Sequence, residues 1–206
     1  SYQWQVNAGS GFSNVTNGGV YSGATTASLT ITGVTAAMNG YVYRAIVSGT
    51  CSPSVPSGTT TITVNTAPVI TTQPASSTVC AGGTATFTVA ASGTGPLSYQ
   101  WQIFNGISWA NIPAIAPFSG TTTATMTITG AIAAYNGSQY RCVVSGGCTP
   151  AAISNTAILT VNTAPSIILQ PSNTTVCAGT TASFSVVAAG SGLAYQCHQN
   201  TGSGLT

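Results

Sequence analysis

The chain repeats itself every 97 residues, and that period restricts its possible folds more than any other feature. Val64-Asn65-Thr66-Ala67-Pro68 returns as Val161-Asn162-Thr163-Ala164-Pro165, and Thr78-Val79-Cys80-Ala81-Gly82 as Thr175-Val176-Cys177-Ala178-Gly179. Ser1-Tyr2-Gln3-Trp4-Gln5 returns as Ser98-Tyr99-Gln100-Trp101-Gln102, and Tyr43-Arg44-Ala45 matches Tyr140-Arg141-Cys142. A third copy, Ala194-Tyr195-Gln196-Cys197, comes one residue early because Pro96 has no counterpart. The period predicts three segments: 1–66, a repeat lacking its first strands; 67–162, a complete repeat; and 163–206, a repeat lacking its last strands. The chain is expected to be a window on a longer array.

Within 67–162 the apolar period is two, which predicts strands. Ala85, Phe87, Val89 and Ala91 point one way while Thr84, Thr86 and Thr88 point the other. Ala124, Met126 and Ile128 alternate with threonines, and Tyr140, Cys142 and Val144 share a face, as do Ala157, Leu159 and Val161. Threonine suits the solvated side of such strands, because β-branching favours the extended backbone. Gly and Pro punctuate the gaps, among them Gly82-Gly83, Gly93 to Pro96, Asn105-Gly106 and Gly146-Gly147. About seven short strands in about 97 residues indicate a two-layer antiparallel sandwich.

One tryptophan at mid-strand and a Tyr-x-Cys near the end form the internal signature of an immunoglobulin sandwich. The fold class is therefore read as all-β: tandem immunoglobulin-like two-sheet sandwiches, incomplete at both ends of the chain. Trp101 is the expected core tryptophan and Tyr140 the tyrosine-corner residue, with Phe87 and Cys142 packed against them. Trp4 and Tyr43 take the same core places in the first repeat. Val89 stands where antibody domains carry the partner cysteine, so their intersheet disulfide is missing. Cys197 stands where the third tryptophan would be.

Charge excludes several functions. There is no Asp or Glu, and Arg44 and Arg141 are the basic residues beside one histidine, for a net charge of +2. Acid–base chemistry run by paired carboxylates is excluded, as is a carboxylate calcium cage. So small a charge does not neutralise a nucleic-acid backbone. No run reaches the 18 or more apolar residues of a membrane helix. No cofactor or metal is expected. His198 beside Cys197 invites a metal or catalytic reading, but adjacent strand residues face opposite sides and no third group orients the imidazole. An enzyme is not expected.

Six cysteines in such a chain imply export to an oxidising compartment. Cys51 persists although Ala45 replaces the counterpart of Cys142, so counting by position pairs the Cys80/Cys177 class with the Cys51/Cys148 class. Cys142 is then a buried free thiol. Within one repeat this predicts Cys80–Cys148. The two classes would also meet across a junction, the turn cysteine of one repeat bonding the late-loop cysteine of the next. Cys80–Cys142 is a third pairing. The linkers, Asn65 to Pro68 and Asn162 to Pro165, are short and restrained by proline.

Phe104, Trp109 and Phe118 lie outside the clear alternation and form a possible contact surface for another chain or a sugar. Arg44 and Arg141 fall on the solvent face of their strands, where hydrogen bonding to a neighbouring carbonyl is expected. Asn14, Asn136 and Asn173 each begin an N-glycosylation acceptor pattern.

Taken together, Thr-Val-Cys-Ala-Gly, Tyr99-Gln100-Trp101-Gln102, Trp109-Ala110-Asn111-Ile112, Ala124 to Ile128 and Gln139 to Cys148 form a pattern that covers the whole chain. It resembles the Ig-like repeats of very large surface and secreted proteins of the Bacteroidota phylum, including gliding-type adhesins carried by the type IX secretion system. The resemblance implies export, tandem arrangement, and use as stalks or adhesive fibres with no conserved active site. The expected function is a structural repeat segment of a long extracellular bacterial fibre or surface stalk. The alternative is an adhesin module binding a glycan or surface ligand. Expected partners are further copies of the repeat in tandem, with lateral fibre contacts and no nucleic acid. Since 67–162 supplies candidates for every strand, one long polypeptide is expected rather than strand exchange between short chains.

Overall fold

The computed structural model describes residues 1–200; residues 201–206 of the expected 163–206 segment lie outside the described residues. The chain forms two compact units. The first comprises Ser1–Val69 with Ser92–Leu97 and Ser145–Ala151, and the second Ile70–Ala91, Ser98–Val144 and Ala152 onward.

The first unit holds β1 (Tyr2–Asn7), β2 (Phe12–Asn14), β3 (Tyr21–Ser22), β4 (Thr30–Ile31), β5 (Val42–Val47), β6 (Val55–Pro56) and β7 (Thr60–Thr61). Its main sheet runs β2-β1-β5-β6, with β7 also paired to β5, while β3 and β4 form a separate hairpin. The β1–β5 register sets Trp4 opposite Ala45 and Gln5 opposite Arg44. Tyr43 and Ala45 turn inward and are buried. Trp4 is only half-buried, which corrects its expected place in a closed core. It borders a cleft of about 270 Å³ with Leu29, Ile31, Tyr43 and Ile62.

The linker belongs to this unit and is tied down. The Thr66 amide donates to Thr94 Oγ1 at 2.9 Å, and the Thr94 amide donates to the Thr66 carbonyl at 3.2 Å. Gly93 stands at φ +149°, and a Cβ there would lie 3.0 Å from Pro68 Cα, a contact that needs the linker to shift.

The second unit holds β8 (Val69–Thr72), β9 (Ser77–Cys80), β10 (Ala85–Thr88), β11 (Ala90–Ser92), β12 (Ser98–Phe104), β13 (Trp109–Asn111), β14 (Phe118–Ser119), β15 (Thr125–Ile128), β16 (Gln139–Ser145), β17 (Ala152–Ile153), β18 (Ala157–Asn162), β19 (Ser166–Leu169) and β20 (Val187–Ala189). One layer runs β13-β12-β16-β18-β9 and the other β10-β15-β14. All pairs of known register here are antiparallel except β18 with β9, which is parallel. Smaller pairs are β8 with β11 and β19 with β20. The second linker repeats the first: the Thr163 amide donates to Ser191 Oγ at 3.0 Å, and the Ser191 amide to the Thr163 carbonyl at 3.0 Å.

The period-two pattern produces the core directly. Ala85, Phe87, Met126 and Ile128 face inward from one layer; Trp101, Tyr140, Cys142, Val144, Ala157, Leu159 and Val161 face inward from the other, and all are buried. Phe87 bridges the layers, its ring centroid 6.3 Å from Trp101 and 5.1 Å from Tyr140. Burial of each large side chain contributes roughly 1.5–3 kcal/mol. The Trp101 indole N–H reaches the Thr123 carbonyl at 3.0 Å, so its one polar atom is satisfied.

Tyr140 is not. Its hydroxyl is buried with only a poorly aligned Ser138 beside it and no partner of good hydrogen-bond geometry, and Thr121 Oγ1 has no partner. Sequence explains both. In the first repeat the counterpart Tyr43 has its hydroxyl 3.2 Å from that of Tyr21; the counterpart of Tyr21 is Phe118, which has no hydroxyl. Thr121 replaces Ala24. Phe118 keeps the ring contact, at 6.5 Å from Tyr140, but offers the hydroxyl no partner. A net hydrogen bond is worth about 1 kcal/mol. Phe118→Tyr is therefore expected to stabilise the protein by about that amount, and Tyr21→Phe to destabilise it similarly, in urea unfolding followed by tryptophan fluorescence.

Candidate contact surface

Gln102, Phe104, Trp109 and Asn111 share one face of the β12–β13 hairpin, because the register pairs Gln102 with Asn111 and Phe104 with Trp109. The Phe104 and Trp109 rings lie 5.4 Å apart, tilted. Arg141, on the neighbouring β16, joins this face: its Nε donates to Gln102 Oε1 at 2.8 Å, and Gln102 Nε2 donates to Asn111 Oδ1 at 2.9 Å. Its guanidinium carbon stands 4.4 Å from the Trp109 ring centroid. The result is a line of neutral amides across three strands, ended by a cation over an aromatic ring. With no carboxylate in the chain, each arginine uses an amide oxygen and the negative face of a ring.

The same line is built in the first unit. Arg44 Nε donates to Gln5 Oε1 at 2.8 Å, Gln5 Nε2 to Asn14 Oδ1 at 2.9 Å, and Arg44 stands 3.9 Å over Phe12. The carbonyl that each arginine finds on its neighbouring strand is a side-chain one, the Oε1 of Gln5 or Gln102. Gln5, Asn14, Gln102 and Asn111 were missed as members of the surface. Their signal was available, since all are identical at the 97-residue spacing.

Phe104 and Trp109 are brought together, and both are half-buried. Phe118 is not with them. It lies on the opposite layer, its ring 5.9 Å from Tyr135. Ile107, at the tip of the β12–β13 hairpin, is 93% exposed and extends the apolar part of the surface. Cys197 and His198 border an open cleft with Phe184 and Val186. Among the described residues no group of three or more His, Cys, Asp or Glu could hold a metal ion.

All six cysteines are free thiols. The expected Cys80–Cys148 bond is therefore corrected, and Cys51 and Cys177 are unbonded as well. Cys80 ends β9 opposite Asn162, near the start of β16, where Gly137 bonds the Leu159 carbonyl. Cys148 follows the other end of β16. Seven strand residues span roughly 20 Å or more, far beyond the about 7 Å that a disulfide tolerates. Cys80–Cys142 is not formed either. Cys142 is wholly buried, and burial pushes its thiol up from the ordinary 9.0 to about 11.

The architecture decides one question. The fold is immunoglobulin-like. The titin I-band fragment I67–I69 superposes with a TM-score of 0.61 at 16% identity, over 82% of this chain and 58% of that one. DIP-gamma IG1+IG2 gives 0.52 at 17%, over 78% and 82%. Residues 69–163 match a family described as a domain of unknown function (DUF8696). A stretch of 127 residues is 32% identical to endoglucanase C of Cellulomonas fimi, covering 62% of this chain. The chain spans only 11% of that curated relative's length. No helix among the described residues is long and apolar enough to cross a membrane.

The Cys142 thiol gives a pH expectation. Its raised folded value means that its contribution is complete below pH about 9 and is lost as pH rises toward about 11, since the unfolded thiol ionises first. Iodoacetamide labelling of the native chain near pH 8 should modify exposed Cys80 and Cys177 readily and spare Cys142. The unfolding free energy should fall between pH 9 and 11, and less so in Cys142→Ala, measured against its own neutral-pH value.

Proposed function

We propose that the chain is a non-catalytic segment of an extracellular, surface-displayed array of Ig-like repeats that serves adhesion. One reading makes it the structural part of a long bacterial fibre or stalk. The observation that carries this is the tethered linker. Thr66 and Thr163 each hold a two-bond ring to a hydroxyl residue 28 positions on, and buried Pro68 lies close against Gly93. Each ring restrains the backbone beside a linker proline, which suits a stalk better than a Gly/Ser tether. The motif pattern of the sequence supports a place among large Bacteroidota surface adhesins and an extracellular or cell-surface location.

The second reading is direct binding of a glycan or surface ligand. It is favoured by the Phe104–Trp109–Arg141 face with exposed Ile107 beside it, and by the likeness to part of an endoglucanase. Arg141 covers one side of the Trp109 ring. A sugar would therefore meet the ring edge, Phe104 and the amide line rather than stack on an open indole.

Electron microscopy of native fibres decorated with an antibody to this chain should show an axial repeat of one domain length. Decoration of beads wandering at random angles would overturn the stalk reading. Gly93→Ala should destabilise the chain by at least about 1 kcal/mol, because it strains both a positive φ and the Pro68 contact; calorimetry checks this. A glycan array should show binding by the chain and its loss in Trp109→Ala if the second reading holds, and unchanged signal would dismiss it.

A further inference from the structure

The two repeated cysteine classes make no bond in this chain, yet both are neighbours of one asparagine class. Asn162 and Cys80 are register partners on parallel strands. Val161 and Val79, the pair before them, turn inward, so Asn162 and Cys80 stand together on the outward face. Strands so paired lie about 4.8 Å apart.

One period earlier, Asn162 becomes Asn65. The Asn65 Nδ2 atom lies 3.8 Å from the place of a Cβ on Gly147, the residue before Cys148. A Cβ on Gly146 would touch Leu97 and Pro68 at 3.0 and 3.2 Å, so the 146–148 loop is seated on the linker. Cys148 is accordingly half-buried, whereas its counterpart Cys51 is exposed. The asparagine class thus has the turn cysteine of its own repeat on one flank and the late-loop cysteine of the following repeat close by.

We propose that each junction of the array is closed by a disulfide between the Cys80-class thiol of one repeat and the Cys148-class thiol of the next. This rests on the tandem-array reading and deepens it: the joint is covalent as well as hydrogen-bonded. The pairing leaves every thiol of this chain free, because the partner of Cys80 stands one period after Cys148 and the partner of Cys148 one period before Cys80. Cys142 takes no part. The bond forms when two thiols lose two protons and two electrons to a disulfide oxidant, which leaves as two thiols; one S–S bond joins the repeats.

The test uses the full chain with a second copy of residues 66–162 inserted after Asn162, folded in a mixture of oxidised and reduced glutathione. Alkylation, digestion without reductant and mass spectrometry should recover one linked pair, Cys80 of the first copy with Cys148 of the second. Cys148→Ser in the second copy should free Cys80 of the first copy to alkylation, and the same change in the first copy should not. Recovery of Cys80 linked to Cys148 of its own copy would overturn the proposal. So would alkylation of both thiols while the Thr66-class amides stay protected from hydrogen exchange. Rapid exchange at those amides would overturn the stalk reading together with the proposal.

Discussion

Everything in the complete repeat is arranged around the need to bury an indole without stranding its N–H. Trp101 sits at zero exposure, and its Nε1 finds the Thr123 carbonyl at 3.0 Å. Its own backbone works outward in two directions, the amide donating to Thr121 and the carbonyl accepting from Ile112. One residue therefore ties the loop that closes one layer to the hairpin that edges the other. The first unit repeats each bond, with Trp4 linked to Ala24, Val15 and Thr26. The same wiring is thus built twice in the chain.

The second constraint is the absence of carboxylates. In most domains surface arginines are balanced by acidic neighbours. Here side-chain order on the surface comes from amides and hydroxyls, whose bonds are short, directional and insensitive to salt. Asn39 and Asn136 show the same economy at the strand ends, each following a one-turn 3₁₀ helix and accepting a backbone N–H from Val64 or Val161 at 2.9 Å. Neutral surfaces also lack long-range repulsion between copies.

Much of this was legible in the residues. The alternation of Ala85, Phe87, Met126, Ile128, Tyr140, Cys142 and Val144 with polar residues marks the strands and their inward face, because the strand period is two and nothing else satisfies it. Trp4 shares the strand position of Trp101 yet is half-buried, a difference that the repeat pattern does not mark. Of the pairings left open by counting cysteine classes, the one within a repeat fails because the two classes lie at opposite ends of β16, which strand length decides. The Gln5 and Gln102 ladders were overlooked for a different reason. A polar residue on an outward face looks like mere solvation until the register places its partner.

The linker rings have one more consequence. Thr66 with Thr94, and Thr163 with Ser191, lie 28 residues apart, so each joint is written in a stretch far shorter than the period. A gene that gains or loses a whole 97-residue unit, with the breakpoint outside that stretch, rejoins a donor and acceptor that already match. In the proposed array, length could therefore vary by whole units while each ring keeps its own partners.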